Sequence, residues 1–501
     1  MKSHSTVSRR DFMKALGLSA AGVATVGVAA PAFGSFDDLL ASGEAIDQSI
    51  KRPWWIKNLP LGQPSVKVDY SIMNLSRNDN SKTISAAEVM RAAMGVEAYN
   101  AMTANASANA SRDMKANLAG YQARDYAGSA GLTNSNLVWA LAQNVSRPAD
   151  LVPYSGTPEE NSKIIRAIAT FYGATGVFFT KFTPEEMNMA NNIAANGTPF
   201  VVDKTATWAY EQNGGSANGK YVVPYTKPIY GISLLFPTPK ELWRQGATAD
   251  GGRGQLGGMS NSKRYRDFPV TYNSLQLFLR YLGFNGFGYY QPTRTWLPGL
   301  CDAVMTGAAE TCRQSNVAIS PELGPTNGCF SIFTDMPLAP NPPIDAGIFR
   351  FCKTCAKCAK TCPTGAIKEE YKPTWEHFNP SDFKYNYNKI AVSWHTPGKE
   401  NFFWDATACR YGWDGLPGCS NCIGTCTFNT NFGAGIHEFV KPFVSTTSIL
   451  NSFFAKADDF YGFNIVYGED RASWWDKRLP TNGFDSTTFA RSGAYRQRGL
   501  G

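Results

Sequence analysis

The hydrophobic positions of the chain change period several times. Leu275, Phe278, Leu279 and Leu282 recur at i, i+3, i+4 and i+7, one face of a helix that Gly283 ends. Ile164, Ile165, Ile168 and Phe171 follow Thr157-Pro158-Glu159-Glu160, a capping box with proline in the first turn, and Gly173 stops that helix. A second capping pattern, Ser85-Ala86-Ala87-Glu88, precedes Val89, Met90, Ala93 and Val96 on one predicted face. Apolar runs at 176–180 and 229–236 lack this period and read as buried strands, the second closed by Pro237. Short strands are also predicted at 317–319 and 330–333, and a helix with a weaker stripe at 299–312. The glycine-rich stretch 247–261 reads as a loop, and 36–80, with Pro53-Trp54-Trp55 and Leu59-Pro60, as irregular. Alternating helix and strand over 160–340 predicts an α/β or α+β core.

The first 35 residues fit none of these periods. Ser8-Arg9-Arg10-Asp11-Phe12-Met13-Lys14 runs into a small-residue apolar stretch, with Ala-x-Ala-like cleavage options near Ala30-Pro31-Ala32. Paired arginines before such a segment read as a twin-arginine export signal, the alternative being a single N-terminal anchor. That route carries folded proteins, which suits a chain loaded with cofactors before export.

A chain of 501 residues with 43 % hydrophobic and 18 % charged residues is globular and long enough for two or three domains. Its net charge of +8 includes Lys2, Arg9, Arg10 and Lys14 of the leader, and no basic run remains that would form a nucleic-acid stripe. No Gly-x-Gly-x-x-Gly or P-loop pattern supports nucleotide binding.

Cysteine carries the chemistry. Eight of eleven fall between Cys352 and Cys426, which is not the layout of a disulfide framework. Cys352-x-x-Cys355-x-x-Cys358-x-x-x-Cys362-Pro363 has the bacterial-ferredoxin spacing, in which three thiolates on one loop bind one cubane and the fourth serves the other cluster. The second set is Cys409, then Cys419-x-x-Cys422-x-x-x-Cys426, followed by Thr427 where the first has proline. The expected pairing crosses over: Cys352, Cys355, Cys358 and Cys426 for one [4Fe–4S] cluster, Cys362, Cys409, Cys419 and Cys422 for the other. Zinc is the rival occupant of Cys-x-x-Cys pairs, and the interleaved order of eight argues against it. Cys301, Cys312 and Cys329 read as buried thiols packing like small apolar residues.

With these motifs in place the chain resembles the corrinoid-dependent reductive dehalogenases of organohalide-respiring bacteria. The likeness rests on the leader and on Gly173-Ala174-Thr175-Gly176, Leu279-Arg280-Tyr281-Leu282-Gly283, Ile319-Ser320-Pro321-Glu322-Leu323-Gly324-Pro325, Phe333-Thr334-Asp335-Met336-Pro337-Leu338 and the two cysteine motifs. The resemblance implies an α+β fold: a nitroreductase-like core holding a base-off corrinoid of the cobalamin type, with a ferredoxin-like domain carrying the two clusters. The sequence has no Asp-x-His-x-x-Gly and only four histidines (His4, His377, His395 and His437), which is compatible with base-off binding. The implied division is a signal peptide at 1–35, an N-terminal region covering the core at 36–160, the corrinoid core at 161–345, the cluster domain at 346–435 and a C-terminal segment packing on the core at 436–501.

The resemblance also places roles. Tyr265 stands where the family has its proton-donating tyrosine. A free tyrosine, with a pKa of about 10, keeps its proton at neutral pH, and a nearby guanidinium eases its transfer. The position that carries arginine in some members is Gly328 here, and Arg294, beside Thr295, is the candidate replacement cation. Trp413 and Tyr121 match aromatic positions on the substrate-pocket wall. The implied partners are a small halogenated organic substrate, a small integral-membrane anchor protein and an upstream respiratory electron donor, with no nucleic acid. The implied location is the outer face of the cytoplasmic membrane. Two alternatives stay open: a corrinoid enzyme of the epoxyqueuosine-reductase type, and a dicluster electron-transfer subunit without its own substrate. The export leader counts against the first, and roughly three hundred residues before the first cluster, far beyond a ferredoxin-sized module, against the second.

Overall fold

The computed structural model describes residues 52–73, 90–91, 94–118, 121–125, 152–194, 198–209, 219–245, 255–288, 295–370, 372–375, 398–405, 408–409, 419–429, 435–460, 464–466 and 474–476. The leader and the Ser85–Glu88 capping pattern lie outside them. In chain order the elements are β1 (Lys57–Asn58), α1 (Val96–Lys115), α2 (Pro158–Phe171), β2 (Gly176–Lys181), β3 (Phe200–Asp203), β4 (Tyr221–Pro224), β5 (Tyr230–Pro237), α3 (Lys240–Trp243) and α4 (Gln255–Leu282). There follow α5 (Gly299–Met305), β6 (Glu310–Thr311), β7 (Ala318–Ile319), β8 (Asn327–Thr334), β9 (Ile344–Asp345), α6 (Ile348–Cys355), α7 (Lys357–Lys360), α8 (Asn421–Gly424), α9 (Gly435–Thr446) and α10 (Asn451–Phe460).

The central sheet has the order β2-β5-β8, and β5 pairs antiparallel with both neighbours. An antiparallel centre decides between the two sequence expectations in favour of α+β. Helices cover both faces, so β5 is buried along its whole length and reads as a continuous apolar run rather than an alternating one. On one face Ile165 and Ala169 of α2 and Phe268, Tyr272, Leu275 and Leu279 of α4 pack on Val177, Phe179, Ile232, Leu234, Phe330 and Ile332. On the other, Ala303 of α5 packs with Phe178 and Leu235.

The capping box forms as the sequence predicts. Glu160 N donates to Thr157 Oγ1 at 3.3 Å, and Thr157 N donates to Glu160 Oε2 at 2.9 Å. Three local expectations are corrected. Residues 255–261 are helix, not loop, because Leu256 and Met259 bury against Leu242 and Trp474, and this packing outweighs the glycine content. The helix expected over 299–312 stops at Met305, where Gly307 turns left-handed and the chain leaves into β6. Val96 is exposed rather than on the buried face with Met90, because Gly95, at φ 88, resets the helical phase between them.

Behind the sheet, β1 pairs with β9 and ties the N-terminal arm to the point where the core leads into α6. Helices α9 and α10 set Val444, Phe454 and Ala455 against Ile348, Phe351 and Cys352 of α6. Further along, Val466 N donates to Arg244 O at 2.8 Å, just after α3. Among the described residues no helix is long and apolar enough to cross a membrane.

Candidate metal and cofactor site

The eight motif cysteines lie in the segments around α6, α7 and α8. Helix α6 brings Cys352 and Cys355 to one end, and Ala356, left-handed at φ 52, breaks it from α7, which carries Cys358. This kink is strained for a residue with a Cβ and folds the Cys-x-x-Cys-x-x-Cys stretch around a cavity instead of along a helix. That cavity is lined by Cys352, Cys355, Cys358 and Cys426 together with Cys312, Phe351 and Phe428. A second cavity is lined by Cys362, Cys409, Cys419 and Cys422, with Trp404, Ile367, Asn421, Trp243, Asn261 and Arg264. The thiols therefore sort into two quartets in the crossed order expected from the spacing. Cys358 of the first packs in one apolar cluster with Cys362 and Cys422 of the second, so the cavities are neighbours.

Among the described residues, no three His, Cys, Asp or Glu side chains gather closely enough to hold a single metal ion. The thiols ring cavities instead, and burial shapes their acidity. It pushes Cys352 up to about 12, Cys409 up to about 12 and Cys419 up to about 11. Cys358, Cys422 and Cys426 rise well above the ordinary thiol value, again through burial and then through neighbouring thiols, Cys352 for Cys358 and Cys426 and Cys419 for Cys422. Such pockets disfavour four thiolates unless positive charge enters with them, which is the demand that a metal centre meets.

The walls are held by residues that the cysteine pattern does not announce. Arg313, buried over the Phe402 ring at 4.3 Å, donates through Nε to Cys352 O at 3.0 Å and through Nη1 to Lys368 O at 3.1 Å. Its neighbour Gln314 donates through Nε2 to Cys422 O at 2.6 Å. Two adjacent residues after β6 thus grip the main chain of both quartets. Thr427, where the first motif has proline, places its hydroxyl 3.7 Å from Cys355 Sγ. The Ser320–Pro325 motif acts from behind: Ser320 and Gly324 pair through their main chains, and Gly324, at φ 66, lies so close to Phe428 O that no Cβ would fit.

The second cavity is the one that meets the core. Ser420 Oγ donates to Trp243 O at 2.8 Å, and Gly424 lets α8 close on that same carbonyl. Trp243 belongs to α3, and Asn261 and Arg264 to α4. The Arg264 guanidinium lies 5.7 Å over the Trp243 ring and 5.2 Å over the Tyr265 ring, and donates through Nη2 to Asn261 Oδ1 at 2.6 Å. Tyr265 is half-buried against the core and meets Phe330 of β8 edge-on at 5.5 Å. Arg294 and Trp413 lie outside the described residues. Tyr121 is buried in the turn after α1 and lines neither cavity. Among the described residues, the cation set against Tyr265 is its chain neighbour, Arg264. Sequence reasoning missed it because Lys263, Arg264 and Arg266 look alike until the helix phase turns Lys263 to Asp267, sets Arg264 over Tyr265 and leaves Arg266 exposed.

A family model described as "Reductive dehalogenase subunit" matches residues 51–338. The chain is 27 % identical over 552 residues to the chloroethene reductive dehalogenase of Dehalococcoides mccartyi (strain VS), covering 97 % of this chain and all of the relative. It is 26 % identical over 587 residues to the trichloroethene reductive dehalogenase of Dehalococcoides mccartyi (strain ATCC BAA-2266 / KCTC 15142 / 195), covering 96 % and 98 %. Its fold is similar to a solved reductive dehalogenase described in terms of B12-dependent dehalogenation, with a TM-score of 0.53 at 15 % identity. That match covers 83 % of this chain and 49 % of the neighbour, so the chain spans about half the length of the neighbour.

Proposed function

Because the chain belongs to the reductive dehalogenase family, we propose that it replaces a carbon–halogen bond of a small organohalide by carbon–hydrogen, with a base-off corrinoid and two [4Fe–4S] clusters. The observation that carries this reading is the sorting of eight cysteines into two adjacent quartets, one of which borders the core that the family match covers. All-thiol donor sets in water-poor cavities fit cubanes. The amides and guanidinium of Asn261, Asn421 and Arg264 fit the amide-bearing rim of a corrinoid beside the second cavity. When bound, the corrinoid would supply reducing cobalt chemistry at the carbon–halogen bond, and the clusters would supply single electrons.

The residues divide the remaining work. Cys352, Cys355, Cys358 and Cys426 hold the outer cluster; Cys362, Cys409, Cys419 and Cys422 hold the inner one, which faces the core. Arg313 and Gln314 fix the spacing between them, and Trp404 and Ile367 keep water from the inner one. Tyr265 gives its phenolic proton to the dehalogenated carbon, and Arg264 steadies the phenolate left behind. Arg294 is a second cation for that pocket, with Trp413 and Tyr121 on its wall. In this reading the core is nitroreductase-like and the cluster domain ferredoxin-like, within the divisions given above. The leader directs export by the twin-arginine route, and a small membrane protein anchors the enzyme on the outer face, where an upstream respiratory donor delivers electrons. The names of the relatives make chlorinated ethenes the first substrates to try. The test is chloride release from such a panel by anaerobic holoprotein with a low-potential electron donor. Release with the matching hydrogenated product supports the reading. No release across chlorinated ethenes, ethanes and aromatics, with cofactors verified in place, contradicts it.

A further inference from the structure

The outer cavity holds one sulfur more than a cubane needs. Cys312, directly after β6, is fully buried and lines the cavity alongside Cys352, Cys355, Cys358 and Cys426. A [4Fe–4S] cluster takes four cysteines, and here five face one space. The Cys312 thiol donates to Val317 O at 3.2 Å. Cys312 packs in one apolar cluster with Cys352, with Cys355 and Cys426 against it, whereas Cys358 packs in another with Cys362 and Cys422. The extra thiol therefore stands on the side of the cavity that carries Cys352, Cys355 and Cys426, away from Cys358. Its position is set by its neighbours, since Arg313 is bound to Cys352 O and Gln314 to Cys422 O.

We propose that Cys312 is a reserve ligand of the outer cluster, taking the iron that Cys352 leaves when that thiolate is lost. This rests on the cluster reading above. The exchange is a ligand substitution without change of iron oxidation state. As the cluster is assembled the Cys312 S–H gives up its proton to bulk water, as the other ligand thiols do, and its hydrogen bond to Val317 is lost, while an Fe–S bond forms in place of the missing one.

The test uses anaerobic holoprotein carrying Cys352→Ala, Cys312→Ala or both, read by iron content and by electron paramagnetic resonance in oxidised and reduced states. Cys312→Ala alone should match the wild type. Cys352→Ala should keep both four-iron clusters. The double variant should lose about one iron per chain and show an oxidised three-iron signal. A three-iron signal already present in Cys352→Ala, equal to that of the double variant, would overturn the proposal. Cys426→Ala, alone and with Cys312→Ala, runs in parallel in case loss of Cys352 unfolds α6, with the same two outcomes. Wild-type protein with thiols but no cubane signal would instead remove the cluster reading itself, a failure distinct from either result.

Discussion

The two thiol cavities are built from the same donor and share interleaved motifs, yet their surroundings differ. The outer one is closed by α6, the Ser320–Pro325 turn and the Phe428 loop, with α9 and α10 packed behind α6. The inner one borrows its wall from the core: Trp243 of α3, and Asn261 and Arg264 of α4, the helix that also carries Tyr265. Ligand chemistry alone makes the sites equivalent; under the proposed function it is their neighbours that would make one a receiver of electrons and the other the point of delivery. On that reading, the direction of an electron path would be set by the residues behind the ligands rather than by the ligands.

If that assignment holds, the largest effect comes from opening the inner site. Cys419→Ala should take at least one iron per chain from the inner cluster and bring turnover below detection, measured by iron assay and chloride release. Next comes Tyr265→Phe, which leaves the cavities intact and removes only the proton. Turnover should fall by about 10²- to 10⁴-fold with unchanged iron content, the range of a lost general acid. Arg264→Gln tests the join between the regions: a drop of about tenfold is expected, on the order of a desolvated cation–ring contact, with partial recovery in Arg264→Lys. An equal effect of Arg264→Gln on the outer cluster signal would break the distinction between the cavities.

The smallest effect concerns the ground beneath them. Asp302 of α5 is fully buried, and burial pushes its carboxyl up to about 7, although Ser331 Oγ donates to it at 2.7 Å. Below about pH 4 folded and unfolded chains both keep this proton. Between about 4 and 7 the unfolded chain releases it and the folded chain does not, so stability falls as pH rises through that window. Glu310, also pushed up to about 7 by burial, adds to the same decline. Thermal midpoints from pH 4.5 to 8 should fall less steeply in Asp302→Asn than in the wild type, a difference on the order of a few kcal/mol at most.

Much of this was legible in the residues. The Leu275–Leu282 stripe, the Thr157 capping box and the β5 run are short-range signals, and each is fulfilled by local geometry. Cysteine order alone foretold the crossed quartets. The helix through Gly257 and Gly258 was not legible, because its stability comes from packing on Leu242 of the preceding helix and on Trp474, far along the chain. Nor was Arg264, which becomes special only when α4 sets it between Trp243 and Tyr265. Cys312 was readable as a buried thiol and not as a neighbour of the cluster ligands, since forty residues separate it from Cys352 along the chain.

The central claim is that this chain joins two cubanes to a corrinoid, and counting metals on anaerobically purified protein tests it most directly. About eight irons, eight sulfides and one cobalt per chain, with the absorption of both cofactor types, is the predicted result. Eight irons with no cobalt after expression with added corrinoid, or zinc in place of iron, would contradict it.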